Sequence, residues 1–218
     1  MQLETWHAAA LLAALVSALV TAELFERRGA RALMKTLASL TFVGAGALLL
    51  RLDTSAGGLL MVGLVLSLVG DLALLAKGNK PLFLFGLGAF LAAHLLYAAA
   101  FLAHGVDGTA TWVAGAVLLG AGVPLGAWLS RHVRGSMRAP VAAYVVAISV
   151  MVALAAGAFG DGGRATLVVG AVLFYLSDLC VARERFVAPS KWNAIFGLPL
   201  YYAGQLYLID GMHGAFVL

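Results

Sequence analysis

Cysteine is almost absent from this chain. Cys180 is the only one in 218 residues, so a disulfide within the chain is excluded, and the residue reads as a small packing group. Charge is equally scarce: Asp, Glu, Lys and Arg make up 11% of the residues, where a soluble domain carries about a quarter. With 63% hydrophobic residues and a mean hydropathy of +1.00, an ordinary soluble fold is excluded. The formal charge of +4 does not point to nucleic acid, because the basic residues lie beside apolar runs rather than in a patch of their own.

Several catalytic signatures are missing too. His7, His94, His104, His132 and His213 form no HxxxH, HxxH or HH pair, which removes the histidine boxes of a di-iron desaturase. Membrane zinc hydrolases need several histidines with Ser and Asp, and only Ser67 and Asp71 echo that set. No serine stands in a GxSxG elbow. No lysine sits in the middle of a late apolar run, as a retinal protein requires. Neither a metal nor an organic cofactor is expected.

What is present is a series of apolar blocks of roughly 18–22 residues, the length that crosses a hydrocarbon core as helix. The blocks predict an all-α polytopic integral membrane protein, one eight-helix domain over 1–218, with spans near 6–24, 33–50, 58–77, 82–103, 109–129, 140–159, 164–182 and 192–212. The first run lacks the basic flank and cleavage motif of a signal peptide and is expected to be retained. Gly is abundant at 26 residues, and Gly122 and Gly126 form a small-xxx-small pair suited to close helix packing. Trp6, Trp112, Trp128 and Trp192 fall near span ends, as an interfacial belt would.

Charge sets the expected orientation. The connections after the first, third, fifth and seventh spans hold Arg27, Arg28, Arg31 and Lys35, then Lys77 and Lys80, then Arg131, Arg134 and Arg138, then Arg183, Arg185 and Lys191: twelve of the fourteen basic residues. By the positive-inside rule these connections are cytoplasmic and both termini lie outside.

Two membrane carboxylates organise the rest. Gly63-Leu-Val-Leu-Ser-Leu-Val-Gly-Asp71 and Gly170-Ala-Val-Leu-Phe-Tyr-Leu-Ser-Asp178 have the same shape, and four spans separate them, suggesting two parallel four-helix halves. Each Asp is expected roughly 8–9 Å below the cytoplasmic helix end. Intramembrane carboxylates are expensive and usually functional, although either could instead snorkel or pair with Lys77, Lys80, Arg183 or Arg185. Ser67 and Ser177 stand near them, and Phe174 and Tyr175 precede Asp178 by one turn. Phe90, His94, Tyr97 and Phe101 form one stripe of the fourth span; an upright helix would put His94 roughly 20 Å from the cytoplasmic end, well above the Asp pair. Tyr201, Tyr202 and Gln205 follow Pro199, which frees a backbone carbonyl. Packing or a helix–helix hydrogen bond would also account for His94, the tyrosines or Gln205. Lys35 alone would read as ordinary positive-inside charge.

A buried pair of carboxyls can hold one protonated acid and one charged base at neutral pH. Such a pair suits hydrolysis through an oxocarbenium ion, as at glycosidic acetals. It equally suits proton-coupled transport of a small lipid, with the two Asp as proton relays.

The segments Ser67-Leu-Val-Gly-Asp71, Gly88-Ala-Phe-Leu-Ala-Ala-His-Leu-Leu-Tyr97, Gly170 to Asp178 followed by Arg185-Phe186, and Tyr201-Tyr-Ala-Gly-Gln205 resemble the YhhN family, which includes the animal TMEM86 lysoplasmalogenases. Where that family usually has Lys-Pro, this chain has Lys35-Thr36. The resemblance implies a membrane hydrolase of lysoplasmalogens, the sn-1 vinyl-ether lysophospholipids, that releases a fatty aldehyde and a glycerophospho-head group without a cofactor. Asp71 and Asp178 are then the expected catalytic pair, with Asp178 the expected acid. His94, Tyr97, Tyr175, Ser177, Tyr201, Tyr202, Gln205 and Lys35 are the expected substrate-binding residues. Lys35, Lys77 and Lys80 would meet the phosphate, and the hydrocarbon chain would enter between helices from the inner leaflet. The Ala-, Gly- and Leu-rich composition and short loops suggest a bacterial inner membrane.

Overall fold

A computed structural model of the chain describes residues 3–76 and 78–214, with side chains from Trp6 to His213. Lys77 lies outside the described residues. Eight long helices follow one another: α1 Leu3–Leu24, α2 Arg28–Leu49, α3 Ser55–Ala73, α4 Lys80–His104, α5 Gly108–Ser130, α6 Arg138–Gly160, α7 Ala165–Ala182 and α8 Lys191–Gly214. There is no strand among the described residues. α1 to α7 are long and apolar enough to cross a membrane. The eighth expected span corresponds to α8, which has the length but carries more polar side chains. Those side chains turn inward: Tyr202, Gln205 and Asp210 are all buried.

Short polar residues start α3, α4 and α5. Thr54 Oγ1 accepts from the Gly57 amide at 3.1 Å, Asn79 Oδ1 from Leu82 at 3.0 Å and Asp107 Oδ1 from Ala110 at 2.6 Å, each satisfying a donor that the first helical turn leaves free. Pro81 sits in the first turn of α4, where its missing N–H costs nothing. α4 ends at Gly105, whose φ of +116° turns the chain sharply away.

The two closest helix pairs are α3–α4 and α7–α8. In lipid, helices associate through close packing and hydrogen bonds rather than through escape from water, and glycine marks both contacts. The Tyr97 ring fills the space beside Gly63, and the Phe90 ring that beside Gly70. Gly170 and Gly204 bring the backbones of α7 and α8 together, leaving no room for a Cβ on either. α4 also packs on α6, and α2 and α1 pack on α8, which closes the bundle. α5 leans on α6 and is exposed over most of its surface.

At one end, side chains from the basic connections tie helices together. Arg31 Nη2 donates to the Leu75 carbonyl at 2.8 Å, while its Nη1 lies 3.6 Å from Glu23. After α7 a π-helical turn, Arg183–Val187, continues the helical path. Arg183 donates to Asn193 Oδ1 and Asn193 Nδ2 to Glu184, both at 2.7 Å, fixing the turn into α8.

Candidate functional site

A chamber of about 1160 Å³ opens at the end that carries the basic connections, and both aspartates line it. Arg28, Arg31, Arg185 and Lys191 stand around its mouth with Glu23 and Glu184. Its volume lies above the range of roughly 300–1,000 Å³ usual for small-ligand pockets.

Asp71, near the end of α3, is 2% exposed and surrounded by donors. Lys35 Nζ, from α2, is 3.1 Å from Oδ1. Ser39, one turn further along α2, donates its hydroxyl to Oδ2 at 2.6 Å, and Tyr201 of α8 donates to the same oxygen at 2.8 Å. Tyr202 braces this group: its hydroxyl lies 3.2 Å from Ser39 Oγ and donates to the Lys35 carbonyl at 3.3 Å. One cation and two hydroxyls satisfy an ionised carboxylate in a place where an unpaired one would be very costly.

Asp178, on α7, has a different set. Tyr144 of α6 donates to Oδ2 at 2.9 Å. His94 of α4 brings Nε2 to 3.4 Å from that oxygen, outside hydrogen-bond geometry. The other ring nitrogen, Nδ1, lies 2.6 Å from the Phe90 carbonyl. Among the described residues no lysine or arginine pairs with Asp178.

Aromatic rings join the two groups. Phe174 lies edge-on between His94, at 4.6 Å between ring centres, and Tyr201, at 5.2 Å. Phe90 contacts Tyr201 at 5.8 Å and Phe174 at 6.3 Å.

Of the expected site residues, Lys35, Asp71, Tyr175, Ser177, Asp178 and Tyr201 line the chamber. His94, Tyr97 and Gln205 are fully buried and do not line it. Tyr97 donates to Gln205 Oε1 at 2.9 Å and lies 3.1 Å from Ser67 Oγ, an internal chain behind the Asp71 group. Tyr202 faces a separate apolar groove of about 670 Å³ between α1 and α8. Lys80 is not on the chamber wall.

The depth expected for His94 does not separate it from Asp178, and helix lengths explain why. α3 ends at Ala73, whereas the side chain of Leu74 packs beside Gly86; the first turn and a half of α4 therefore overhangs α3. The π turn after α7 likewise leaves Asp178 nine residues from Val187, roughly 13 Å from the end of the helical path.

Ser39 and Tyr144 were not singled out from the sequence. Ser39 follows Lys35 by one helical turn, a usable clue. Tyr144 stands alone in an Ala- and Val-rich run, and only the packing of α6 on α7 gives it a partner. Among the described residues no three His, Cys, Asp or Glu side chains come together as a metal site.

The sequence model of the family described as YhhN matches residues 30–212. Human lysoplasmalogenase TMEM86B is 35% identical over 153 residues, covering 69% of this chain and 61% of that protein. Bovine lysoplasmalogenase TMEM86A is 31% identical over 155 residues, covering 68% and 62%. A lysoplasmalogenase of Mycobacterium bovis is 33% identical over 158 residues, covering 70% and 59%. The chain thus spans about six-tenths of the length of these relatives. No solved structure matches it.

Proposed function

This chain belongs to the YhhN family, and we propose that it is a lysoplasmalogenase-like hydrolase of the sn-1 vinyl-ether bond. Its products would be a fatty aldehyde and a glycerophospho-head group. The observation that carries this reading is the presence of two carboxylates with unlike partners on one chamber wall. Vinyl-ether hydrolysis needs a proton delivered to carbon, a negative charge near the resulting oxocarbenium ion, and a base for water. Asp71 and Asp178 can divide these tasks, as paired carboxyls do at acetals. Lys35, Tyr175, Ser177 and Tyr201 would bind or orient the substrate at the wall, whereas His94, Tyr97, Tyr202 and Gln205 would act from behind it.

All eight helices cross the membrane in this proposal, with both termini outside and the chamber opening toward the cytoplasm. α8 carries polar side chains within its span, and Tyr201, Tyr202 and Gln205 among them are buried. The Arg28, Arg31, Arg185 and Lys191 side chains at the mouth suit a lipid phosphate arriving from the inner leaflet. The distribution of basic connections supports this orientation, and the composition suits a bacterial inner membrane. Two four-helix halves, α1–α4 and α5–α8, fit the helix pairing: α2 packs on α8 as α6 packs on α4.

The test is aldehyde release from a lysoplasmenylethanolamine by detergent-solubilised protein, with Asp71→Asn and Asp178→Asn beside it. Aldehyde from the wild type and none from folded variants is the expected outcome. A transporter using the same pair as proton relays would release no aldehyde and would need a sealed vesicle to act.

A further inference from the structure

We infer that Asp178 is the acid and carries its proton in the resting protein, that Asp71 rests as the carboxylate, and that His94 and Tyr144 are positioning residues for the acid. This rests on the vinyl-ether hydrolase reading above and assigns its two carboxyls.

The argument begins with donors and acceptors. Everything that touches Asp71 donates: the Lys35 ammonium, the Ser39 hydroxyl and the Tyr201 hydroxyl. Two O–H groups on one carboxylate oxygen and a cation beside the other favour the charged form, while Oδ1 keeps a lone pair that can take a proton during the reaction. Asp178 has one O–H donor, Tyr144, and faces a ring nitrogen. That nitrogen is an acceptor. A carbonyl can only accept, so the 2.6 Å contact with Phe90 places the proton of a neutral imidazole on Nδ1. Nε2 then carries the unprotonated lone pair, and it stands 3.4 Å from Asp178 Oδ2. A lone pair against a carboxylate is repulsive, and a proton on the carboxyl removes the repulsion.

The other way to remove it, an imidazolium beside a carboxylate, fits less well. Nε2 lies outside hydrogen-bond geometry toward Asp178. The ring is 0% exposed and enclosed by Phe174 at 4.6 Å and Tyr144 at 5.1 Å. A buried ion pair needs close geometry between its charges to offset desolvation, and the 3.4 Å contact, outside hydrogen-bond geometry, does not supply it. A neutral imidazole beside a carboxylic acid buries no charge.

Chain position sharpens the contrast. Asp71 and Asp178 are 107 positions apart, and so are His94 and Tyr201. Tyr201 donates to Asp71, while His94, at the matching place, faces Asp178 as an acceptor. At this pair of matching places, the exchange of tyrosine for histidine replaces a donor to the carboxyl with an acceptor.

The reaction then balances. Asp178 gives its proton to the vinyl carbon remote from oxygen; a C–H bond forms, the C=C π bond breaks and the oxocarbenium ion appears near the Asp71 carboxylate. Water adds to the cation and loses a proton to Asp71, giving the hemiacetal. Asp178 takes the hemiacetal O–H proton as C=O forms, and Asp71 returns its proton to the departing glycerol oxygen as that C–O bond breaks. Both carboxyls end as they began.

The test is infrared difference spectroscopy on the full-length protein in detergent, reading the carbonyl stretch of a buried carboxylic acid. The band is expected in the wild type, absent in Asp178→Asn and retained in Asp71→Asn. Tyr144→Phe, which keeps the ring, and His94→Gln should shift it without removing it. No band in the wild type, a band that survives Asp178→Asn or vanishes in Asp71→Asn, or one that neither Tyr144→Phe nor His94→Gln moves, overturns the assignment. Wild-type protein with the Asp178 band but without aldehyde release overturns the hydrolase reading and leaves the proton assignment standing.

Discussion

Asp71 and Asp178 lie on α3 and α7 and take their partners from corresponding helices: α2 and α8 for Asp71, α6 and α4 for Asp178. The company they keep differs in kind. Asp71 has a cation and two hydroxyl donors, whereas Asp178 has one hydroxyl and a ring nitrogen with its proton turned away. Burial does not account for the difference, since the Asp71 side chain is 2% exposed and that of Asp178 16%. The frame sets where a carboxyl stands, and the count of donors against acceptors sets what it can do there.

The largest effects should come from removing either carboxyl. Asp178→Asn and Asp71→Asn are each expected to lower kcat by roughly 10²–10⁴-fold, the usual range for a general acid or base. The comparison predicts that the two defects differ under rescue. Added azide should restore turnover to Asp71→Ala, where an anion near the oxocarbenium ion is missing. It should do nothing for Asp178→Ala, which lacks a proton donor. Equal rescue of both variants would mean that the two sites are chemically interchangeable.

Stability should separate the sites next. Lys35→Met strands Asp71 in a 2% exposed position, and breaking such a buried pair costs about 3–5 kcal/mol. Adding Asp71→Asn to Lys35→Met should recover much of that loss in a thermal or denaturant melt. His94→Gln strands no charge if Asp178 is neutral, so its cost should be clearly smaller. A cost equal to that of Lys35→Met would point to an ion pair at Asp178.

These contrasts also show what the sequence could convey. The two Asp segments, the basic connections and the approximate helix limits were all legible, because apolar length and charge are local properties. The depth of His94 was not, since it depends on α4 overhanging α3 and on the π turn that prolongs α7. Lys35 was expected in the second span and at the substrate, but its pairing with Asp71 depends on how α2 faces α3. Tyr144 gave no local signal. Its role arises from α6 packing against α7, a contact between helices that nothing in either segment announces.

A smaller effect should distinguish the helix pairs. Gly63 and Gly170 also stand 107 positions apart, but a Cβ at Gly63 meets the Tyr97 ring and one at Gly170 meets backbone atoms of Leu208 and Gly204. The Tyr97 ring has a side chain's freedom to turn aside, whereas two helix backbones held together cannot shift without separating. Gly170→Ala and Gly63→Ala should each cost about 1–3 kcal/mol, the usual price of overpacking, with Gly170→Ala the larger. The reverse order in melting temperature would mean that the hydrogen-bonded Tyr97 ring is the more rigid neighbour.

The smallest effect belongs to an exposed acid–base pair, Arg51 and Asp53. Arg51 Nη2 lies 2.8 Å from Asp53 Oδ2, a shorter separation than that between Lys35 and Asp71 at 3.1 Å. The Arg51 hydrogen bond holds the Asp53 carboxyl below its ordinary value. By linkage, any stability from this pair is present above the unfolded carboxyl's pKa and lost as pH falls through the lower folded value. Both side chains are more than half exposed, at 53% and 67%, so water and salt screen the attraction. Asp53→Asn should therefore leave the melting temperature unchanged between neutral and mildly acidic pH, while Lys35→Met lowers it throughout. A measurable loss in Asp53→Asn would show that distance, rather than burial, governs the worth of an ion pair in this protein.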